Sequence, residues 1–483
     1  MISTLTTGCL HRFFRQVSQS ASHAVMLGGS AEPSTLNRWV IIGLHARQSI
    51  ELRQEILVVN GIEEPISNPF ERLEDARKAC REWPELKVSS GLPMAGGLVG
   101  CLGYGFSRWC DESWQAASMR MADADWPDLV FFEAEDWLLV DLASGRLVVL
   151  SEYPEREAAY YACWHECLEL SDEPAEVPAD ALSPEDLTAY LETFEASFGQ
   201  PDFEQTVERL KAKIRDGEIY QANLSIRLQK TLQLDPCRLF EHLCQRNPSP
   251  FSGFFQWPGG VIVCNSPERL LKIDDTGLAR TRPIAGTRGR GQSVLEDEAI
   301  GGLLRVNPKE RAEHLMLVDL ARNDLGRVCG AGSVAVDELL VLERYSHVTH
   351  LVSNVVGRLH SDFTGWDTLR ALFPGGTITG CPKIRCMEIL DAVEPVPRGF
   401  YTGSMGYLDA ASGALDFNIL IRSLFLQRTT DPLRYNTAVH VGAGIVHDAV
   451  GAHEYRECLR KAAAGLGELY RLEAESSNAR SIR

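Results

Sequence analysis

A chain of 483 residues with 45% hydrophobic content is long enough to bury a large core. Its formal net charge of -18, without a basic block, argues against nucleic-acid and membrane-surface partners, because both need clustered Lys and Arg. No apolar run approaches the roughly 18 residues of a membrane span, and the 13 cysteines include no Cys-x-x-Cys pair, so the sequence predicts a cytoplasmic protein with reduced thiols.

Short apolar segments separated by turns predict an α+β region at residues 1–172. Residues 24–27 and 39–43 have the pattern of strands, and residues 138–140 and 147–150 flank a hairpin-like turn. The first 31 residues carry no acidic side chain and include Arg12 and Arg15, which is also the composition of a mitochondrial presequence. The strand pattern at 24–27 favours a folded N-terminus over that alternative.

A segment rich in Glu, Pro and Ala predicts a linker or surface loop at residues 173–199. The region that follows, residues 200–470, has helical spacing of apolar residues at 203–214, 310–320, 383–393 and 454–466. Strand-like runs occupy 224–228, 253–257, 261–264, 403–408 and 417–426. Because helices and strands come in blocks, we expect an α+β fold and not a Rossmann-type sheet. Residues 471–483 are predicted to be a disordered tail.

Two of the predicted helices each carry a pair of glutamates three residues apart. Glu310 and Glu313 share one helix face, as do Glu454 and Glu457. If the two helices meet, four carboxylates converge on one pocket, and carboxylates without Cys or His suit Mg²⁺. The alternative interpretation is two solvated helix faces with local salt bridges.

Other segments could hold an anion or a proton. The Gly- and Thr-rich segment 373–383 leads into a helix and ends in a lysine, which is typical of an anion site or of a plain capping turn. Gly442 and Gly444 would let backbone amides approach a carboxylate, although such a pair is usually a turn. Arg422, expected on an apolar strand, needs a carboxylate partner from protein or ligand. His350 is either a general base or a structural histidine.

Taken in chain order, these segments resemble the chorismate-utilising enzymes, which include anthranilate synthase component I, aminodeoxychorismate synthase component I, isochorismate synthase and salicylate synthase. The resemblance covers about residues 200–466 and includes at least six motifs. It implies a large α+β chorismate-binding domain in which two antiparallel sheets pack face to face with helices outside.

The resemblance also implies a role for each motif residue. Glu313 and Glu457 would bind Mg²⁺, with Glu310 and Glu454 as their water-linked partners. Glu268 resembles a general acid that protonates the departing ring hydroxyl. His350 resembles a histidine that lies near the ring carboxylate, on the side of the general base. The remaining residues would bind the substrate: Tyr401 and Arg422 at the enolpyruvyl carboxylate, with Gly286, Thr287, Thr377, Gly442, Gly444 and Lys461 lining the same pocket.

The nucleophile distinguishes the branches of the family. Branches that add water resemble one another in a lysine base where this chain has Gln221, so ammonia is expected here, supplied by a glutamine amidotransferase subunit (component II). Segments 220–225, 403–407 and 416–419 resemble the branch that makes 4-amino-4-deoxychorismate for 4-aminobenzoate and folate biosynthesis. Ala285 departs from that branch, which often has a covalent lysine there, and matches anthranilate synthases.

Three alternatives therefore stay open: an anthranilate synthase, an aminodeoxyisochorismate synthase, and a non-catalytic paralogue that only binds a partner. Glu268, His350, Glu313 and Glu457 argue against the last, because a binding module has no need of them.

Overall fold

The computed structural model describes residues 5–31, 36–66, 68–111, 126–170, 183–345 and 348–481. Within these ranges, no helix is both long enough and apolar enough to cross a membrane.

Helices and strands alternate in blocks along the chain. The helices are α1 Thr7–Ser18, α2 Pro69–Ala79, α3 Pro84–Ser90, α4 Pro154–Glu169, α5 Pro184–Leu191, α6 Gln200–Arg215, α7 Pro236–Arg246, α8 Val294–Val306, α9 Pro308–Gly326, α10 Gly365–Leu372, α11 Lys383–Val393 and α12 Gly451–Ser481. Short 3-10 helices cover Tyr104–Trp109 and Gly376–Ile378.

The strands are β1 Ala24–Leu27, β2 Trp39–Arg53, β3 Ile56–Val59, β4 Ile62–Pro65, β5 Gly97–Leu102, β6 Leu129–Asp141, β7 Arg146–Leu150, β8 Glu195–Ala196, β9 Gln221–Gln233, β10 Phe251–Trp257, β11 Gly260–Ser266, β12 Arg269–Ile273, β13 Leu278–Thr281, β14 Ile284–Gly289, β15 Ala335–Arg344, β16 Val348–Arg358, β17 Gly380–Cys381, β18 Ser404–Asp409, β19 Leu415–Asn418, β20 Ser423–Arg428 and β21 Arg434–Ile445.

The strands form one antiparallel hydrogen-bonded sheet with two halves. In the first half the neighbours run β9, β21, β20, β11, β10, β1 and β2. The long strands β2 and β6 pair along residues 39–52 and join the halves. In the second half the neighbours run β6, β5, β18, β19, β12, β13, β16 and β15. Strands from before and after residues 173–199 therefore share one sheet.

The two halves pack face to face, because a single apolar cluster holds side chains from both. Val25, Phe255 and Phe425 come from the first half, and Val99 and Tyr407 come from the second. The outer face of the first half is covered by α1, α4, α6, α7, α11 and α12, and the outer face of the second by α2, α9 and α10. The predicted α+β class with helices outside two antiparallel layers is confirmed.

Several predicted elements end elsewhere than expected. Helix α5 lies inside the predicted linker, where Tyr190, Phe194 and Phe198 are buried against the first-half cluster. Helix α12 continues to Ser481, so residues 471–481 are helical where the sequence predicts disorder, and Leu472 is buried. The predicted strand 417–426 is two strands, because the backbone turns between β19 and β20.

Candidate active site

A cavity of about 860 Å³ opens where β9, β14, β21, α9 and α12 meet. Eleven of the fifteen residues that the sequence analysis gave a role line it: Gln221, Gly286, Thr287, Glu310, Glu313, Thr377, Arg422, Gly444, Glu454, Glu457 and Lys461. The other four, Glu268, His350, Tyr401 and Gly442, lie behind this wall in contact with lining residues. The structure thus brings together residues that are up to 240 positions apart in the chain.

The predicted glutamate pairs lie on α9 and α12 and face the cavity from two sides. The Asn307 side chain caps α9 by accepting from the backbone N–H groups of Lys309 and Glu310, which fixes the start of the helix. Glu310 accepts from Arg288 Nη2 at 2.8 Å. Glu457 lies 2.6 Å from Arg460 Nη2 on its own helix.

Two of the four carboxylates, Glu313 and Glu454, are half-buried and have raised pKa values. Burial raises the pKa of Glu313 and of Glu454, and their neighbouring carboxylates add to the rise. Glu313 Oε1 is buried with no hydrogen-bond donor in the described part of the chain, and the Lys309 ammonium is 3.8 Å away. Lys309 offsets part of this rise in pKa for both carboxylates, and Lys461 does so for Glu454.

The carboxylate oxygens on α9 and α12 are the kind of donor that binds Mg²⁺. Within the described ranges, no three His, Cys, Asp or Glu side chains are close enough to hold a metal ion by themselves. Mg²⁺ does not require such a cage, because it typically takes one or two carboxylates and completes its octahedron with water and substrate oxygens. The orphaned Glu313 oxygen and the facing Glu457 supply hard oxygen donors of this kind.

Glu268 follows β11 and is held rigidly behind the cavity. Its backbone N–H donates to Ser266 Oγ at 3.2 Å, and its Oε1 accepts from the Ile284 N–H at 3.3 Å. It shares a small pocket with Thr377, which also lines the main cavity. Burial raises the pKa of Glu268 to about 7. The group can therefore be a neutral acid near neutral pH.

His350 lies on β16, beside Thr287. The Thr287 hydroxyl and His350 Nδ1 are 2.8 Å apart, and the Tyr345 ring packs edge-on against the imidazole. Burial, reinforced by the charge of Arg422, lowers the pKa of His350 to about 3. The imidazole is neutral at physiological pH, and its Nε2 has no hydrogen-bond partner in the described structure.

Arg422 lies in the break between β19 and β20, not on the strand that the sequence predicts. Its φ of 51° is in the left-handed region, which is uncommon for a residue with a side chain. The guanidinium is accessible through the cavity, although protein surrounds it on the other sides and this burial lowers its pKa. Among the described residues it makes no hydrogen bond or ion pair, so it is free for an anionic ligand.

The glycines of β21 have a different role from the one predicted. A Cβ on Gly442 would lie 2.3 Å from Asn223 Oδ1 and 2.9 Å from the Tyr401 hydroxyl, and a Cβ on Gly444 would lie 2.6 Å from Gln221 Nε2. These glycines therefore make room for two amide side chains. The Gly442 carbonyl accepts from Lys461 Nζ at 2.9 Å.

The glycine-rich segment 373–383 also departs from the expected anion site. Lys383 Nζ is 2.7 Å from Asp324 Oδ2 and also donates to the Leu372 carbonyl at 2.9 Å. This lysine is used to anchor the loop to α9. The segment contributes Thr377 to the cavity instead.

Arg398, which no sequence pattern indicated, connects the segments behind the cavity. It is 4% exposed and binds both oxygens of Glu394 at 2.8 Å. It also donates to the carbonyls of Asn223 at 2.6 Å and Ile378 at 3.0 Å. Tyr401 stacks on His440 next to this network, with ring centroids 4.3 Å apart. A lone arginine in a loop has no spacing signal, so only the fold identifies it.

Comparisons with known proteins agree with this architecture. The family described as chorismate binding enzyme matches residues 32–467. An anthranilate synthase component I-like protein of Synechocystis is 44% identical over 387 residues, 79% of this chain and 74% of the relative. Aminodeoxychorismate synthase component 1 of Bacillus subtilis is 37% identical, over 93% of this chain and 92% of the relative.

Among solved structures, anthranilate synthase component I from Streptococcus pneumoniae matches with a TM-score of 0.73 and 30% identity. The match covers 90% of this chain and 93% of that chain.

Proposed function

This chain belongs to the family of chorismate-binding enzymes, and from that premise we propose that it converts chorismate and ammonia to 4-amino-4-deoxychorismate as an aminodeoxychorismate synthase component I. The observation that supports ammonia as the nucleophile is Gln221 in the cavity wall, 8% exposed. An amide cannot take a proton from water, so the nucleophile must be reactive without a base. Ammonia meets that condition.

Chorismate presents two carboxylates, and the cavity offers one position for each. The free guanidinium of Arg422 suits the enolpyruvyl carboxylate. The acidic wall of α9 and α12 would hold Mg²⁺ through Glu313 and Glu457, with Glu310 and Glu454 beside them. When bound there, the metal ion would neutralise the ring carboxylate and orient the ring. Two fixed carboxylates leave the ring one orientation relative to Glu268.

Glu268 supplies the proton that the leaving group needs. The bond between ring carbon 4 and its hydroxyl breaks with the electron pair on oxygen, and the Glu268 proton converts the departing hydroxide to water. The ammonia nitrogen forms the new bond, and the proton that it loses returns to the Glu268 carboxylate. The raised pKa of about 7 lets one group do both steps. His350 is neutral and is held by its contact with the Thr287 hydroxyl.

Ala285 supports a second candidate, anthranilate synthase. It lines the cavity, and a lysine in its place could have formed a bond with ring carbon 2. With alanine, ammonia either attacks carbon 4 directly or adds at carbon 2, which gives the anthranilate precursor. The curated relatives carry both names. We favour carbon 4 because segments 220–225 and 403–407 resemble the aminodeoxychorismate branch.

The nucleophile itself can be identified by isotope labelling. The purified chain is incubated with chorismate, Mg²⁺ and ¹⁵N-ammonium in ¹⁸O-water, and the products are analysed by mass spectrometry. We expect ¹⁵N in the product and no ¹⁸O. A product that contains ¹⁸O and lacks ¹⁵N would place the enzyme among those that add water and would overturn the proposal.

In the cell the ammonia would come from an amidotransferase subunit. The sequence has no recognisable glutaminase unit with a Cys nucleophile and a His partner, so we expect turnover with ammonia but not with glutamine. The subunit must cover the mouth of the cavity, since ammonia would otherwise be lost to water. Glutamine-dependent turnover by the chain alone would contradict this expectation.

The exposed apolar side chains of α8, which are Leu295, Leu303 and Val306 on one face and Val294 at the start of the helix, form the surface we propose for that subunit. In that order these side chains are 79%, 69%, 66% and 77% exposed, which is unusual for four aliphatic residues on one helix. The helix lies at the rim, because the residues just before it, such as Gly289, and just after it, such as Lys309, line the cavity.

A pair of variants tests this docking surface. Leu295→Ser with Leu303→Ser should weaken glutamine-dependent turnover in the reconstituted complex and leave ammonia-dependent turnover of the isolated chain unchanged. Leu433→Ser, which alters a leucine with 61% exposure on a distant turn, is the matched control. Equal glutamine-dependent rates in all three proteins would refute the docking site.

A further inference from the structure

Basic side chains surround the four carboxylates of the proposed Mg²⁺ site. The whole chain carries a net charge of -18, so this local concentration of positive charge is against the average. Four of the cations that line the cavity lie within 3.9 Å of one of these glutamates: Arg288, Lys309, Arg460 and Lys461. Carboxylates gathered in one wall repel one another and need counter-ions. The protein supplies them from its own side chains.

The counter-ions of Glu457 occupy the oxygens that a metal ion would need. Arg460 Nη2 lies 2.6 Å from Glu457 Oε2, and Lys461 Nζ lies 3.9 Å from Glu457 Oε1. Both oxygens of this carboxylate therefore have a positive neighbour. Mg²⁺ binds a carboxylate oxygen at about 2.0 to 2.1 Å, so an ion on Oε2 would place its charge beside the guanidinium. The repulsion between the two favours displacement of Arg460.

Lys309 holds an equivalent position on the other helix. Its ammonium is 3.8 Å from Glu313 Oε1 on α9, and its positive charge also acts on Glu454 of α12. One side chain thus neutralises part of the charge on both walls of the cavity. The side chains of Lys309 and Arg460 are 58% and 74% exposed, so each can move into solvent without disturbing the core.

On the basis of the proposed Mg²⁺ site, we propose that Lys309 and Arg460 are built-in competitors of Mg²⁺ and make its binding depend on chorismate. In the free protein, an ion that takes Glu313 and Glu457 must displace both cations and leave them without a partner. Chorismate is a dianion, and its carboxylate beside the metal ion offers the displaced cations a new partner. Mg²⁺ and chorismate should therefore each tighten the binding of the other by the same factor.

Isothermal titration calorimetry of Mg²⁺ into the full chain measures this competition. The titrations are run at constant ionic strength, with and without chorismate, and without ammonia, so that no amination occurs. Arg460→Met and Lys309→Met each remove one charge and keep an aliphatic stem. Each should lower the Kd of the free protein for Mg²⁺ about twofold to fivefold, the range expected for one exposed ion pair. The tightening that chorismate causes should be smaller in both variants than in the wild type.

Two arginines on the same helices provide matched controls. Arg456→Met on α12 and Arg311→Met on α9 each remove one positive charge outside the cavity lining. Arg456 Nε donates to the Ala452 carbonyl at 3.0 Å, and Arg311 Nη1 donates to the Arg305 carbonyl at 3.4 Å. Both controls should keep the wild-type Kd for Mg²⁺, because exposed charges that make no ion pair with the site are screened by salt. Arg460→Lys keeps the charge and should stay close to the wild type.

The outcomes separate this inference from the proposed metal site. If the wild-type protein binds no Mg²⁺ at millimolar concentration, with or without chorismate, the metal site fails and the inference fails with it. If the wild type binds the ion but Arg460→Met and Lys309→Met keep its Kd, the metal site stands and the cations do not compete. An equal shift in the controls would show general charge repulsion and overturn the inference. A tighter Kd of the free protein with an unchanged effect of chorismate would overturn the coupling.

Discussion

Replacing Glu268 with glutamine should slow the reaction and at the same time stabilise the protein at alkaline pH. Glutamine has the same shape but cannot protonate the departing hydroxide, so kcat should fall about 100-fold to 10,000-fold, the usual contribution of a positioned acid. The KM for chorismate should change little, because in the proposed arrangement Glu268 contacts the leaving hydroxyl and neither carboxylate.

The size of the stability gain follows from burial of the carboxyl group. The pKa of Glu268 rises from an ordinary 4.5 to about 7 in the folded protein, and at about 1.4 kcal/mol per pKa unit this corresponds to about 3 kcal/mol. Between these two pH values the folded state holds a proton that the unfolded chain has lost, so wild-type stability falls as pH rises through this window. Glutamine does not ionise and avoids this loss.

Denaturant unfolding at pH 4 to 8 measures the effect. We expect Glu268→Gln to gain up to about 3 kcal/mol relative to wild type between pH 4 and pH 8, and wild-type kcat to fall as pH rises above about 7. Glu298→Gln, an exposed position on α8, is the control and should show no such gain. A variant with kcat within tenfold of wild type, or with a stability difference that does not depend on pH, would refute the reasoning.

Three further predictions concern the metal ion, the buried network and regulation. Glu457→Ala should lower Mg²⁺-dependent turnover at least about 100-fold, and chelator should abolish wild-type activity; near-normal turnover of the variant at saturating Mg²⁺ would remove Glu457 from the metal site. Arg398→Met leaves the buried Glu394 without its ion-pair partner, although Ser225 still donates to it, and should cost about 3 to 5 kcal/mol in urea unfolding; a loss below about 1 kcal/mol would show that the pair is dispensable. Tryptophan at micromolar concentration should inhibit little, because segment 27–30 lacks the glutamate of the tryptophan-binding segment in anthranilate synthases; strong inhibition in the chorismate assay would also count against the branch.

Local patterns predicted the elements that depend on periodicity. The spacing of apolar residues placed α11 at 383–393 and β1 at 24–27 with the observed bounds. The glutamate spacing on α9 and α12 put each pair on one helix face, and both faces line the cavity. These features are set within one or two turns of chain, which is why the sequence alone indicates them.

Features that depend on contacts between distant segments were not predictable in this way. The left-handed backbone of Arg422 interrupts an apolar run whose pattern predicts one strand. Arginine has no preference for this conformation, so the sequence does not predict the interruption. The sequence predicts that Gly442 and Gly444 leave space for a ligand. The cross-strand register instead places the side chains of Gln221 and Asn223 over them. Lys383 reads as an anion-binding lysine, but Asp324 on α9 pairs with it. In each case the deciding partner is far away in the sequence.

The position of the new carbon–nitrogen bond tests the central claim most directly. Chorismate, ammonium and Mg²⁺ are incubated with the purified chain, with and without a lyase that aromatises 4-amino-4-deoxychorismate, and the aromatic products are separated and identified by fluorescence and mass. We predict 4-aminobenzoate, formed only when the lyase is present. Anthranilate as the main product without any lyase would show that ammonia adds at ring carbon 2 and would contradict the account.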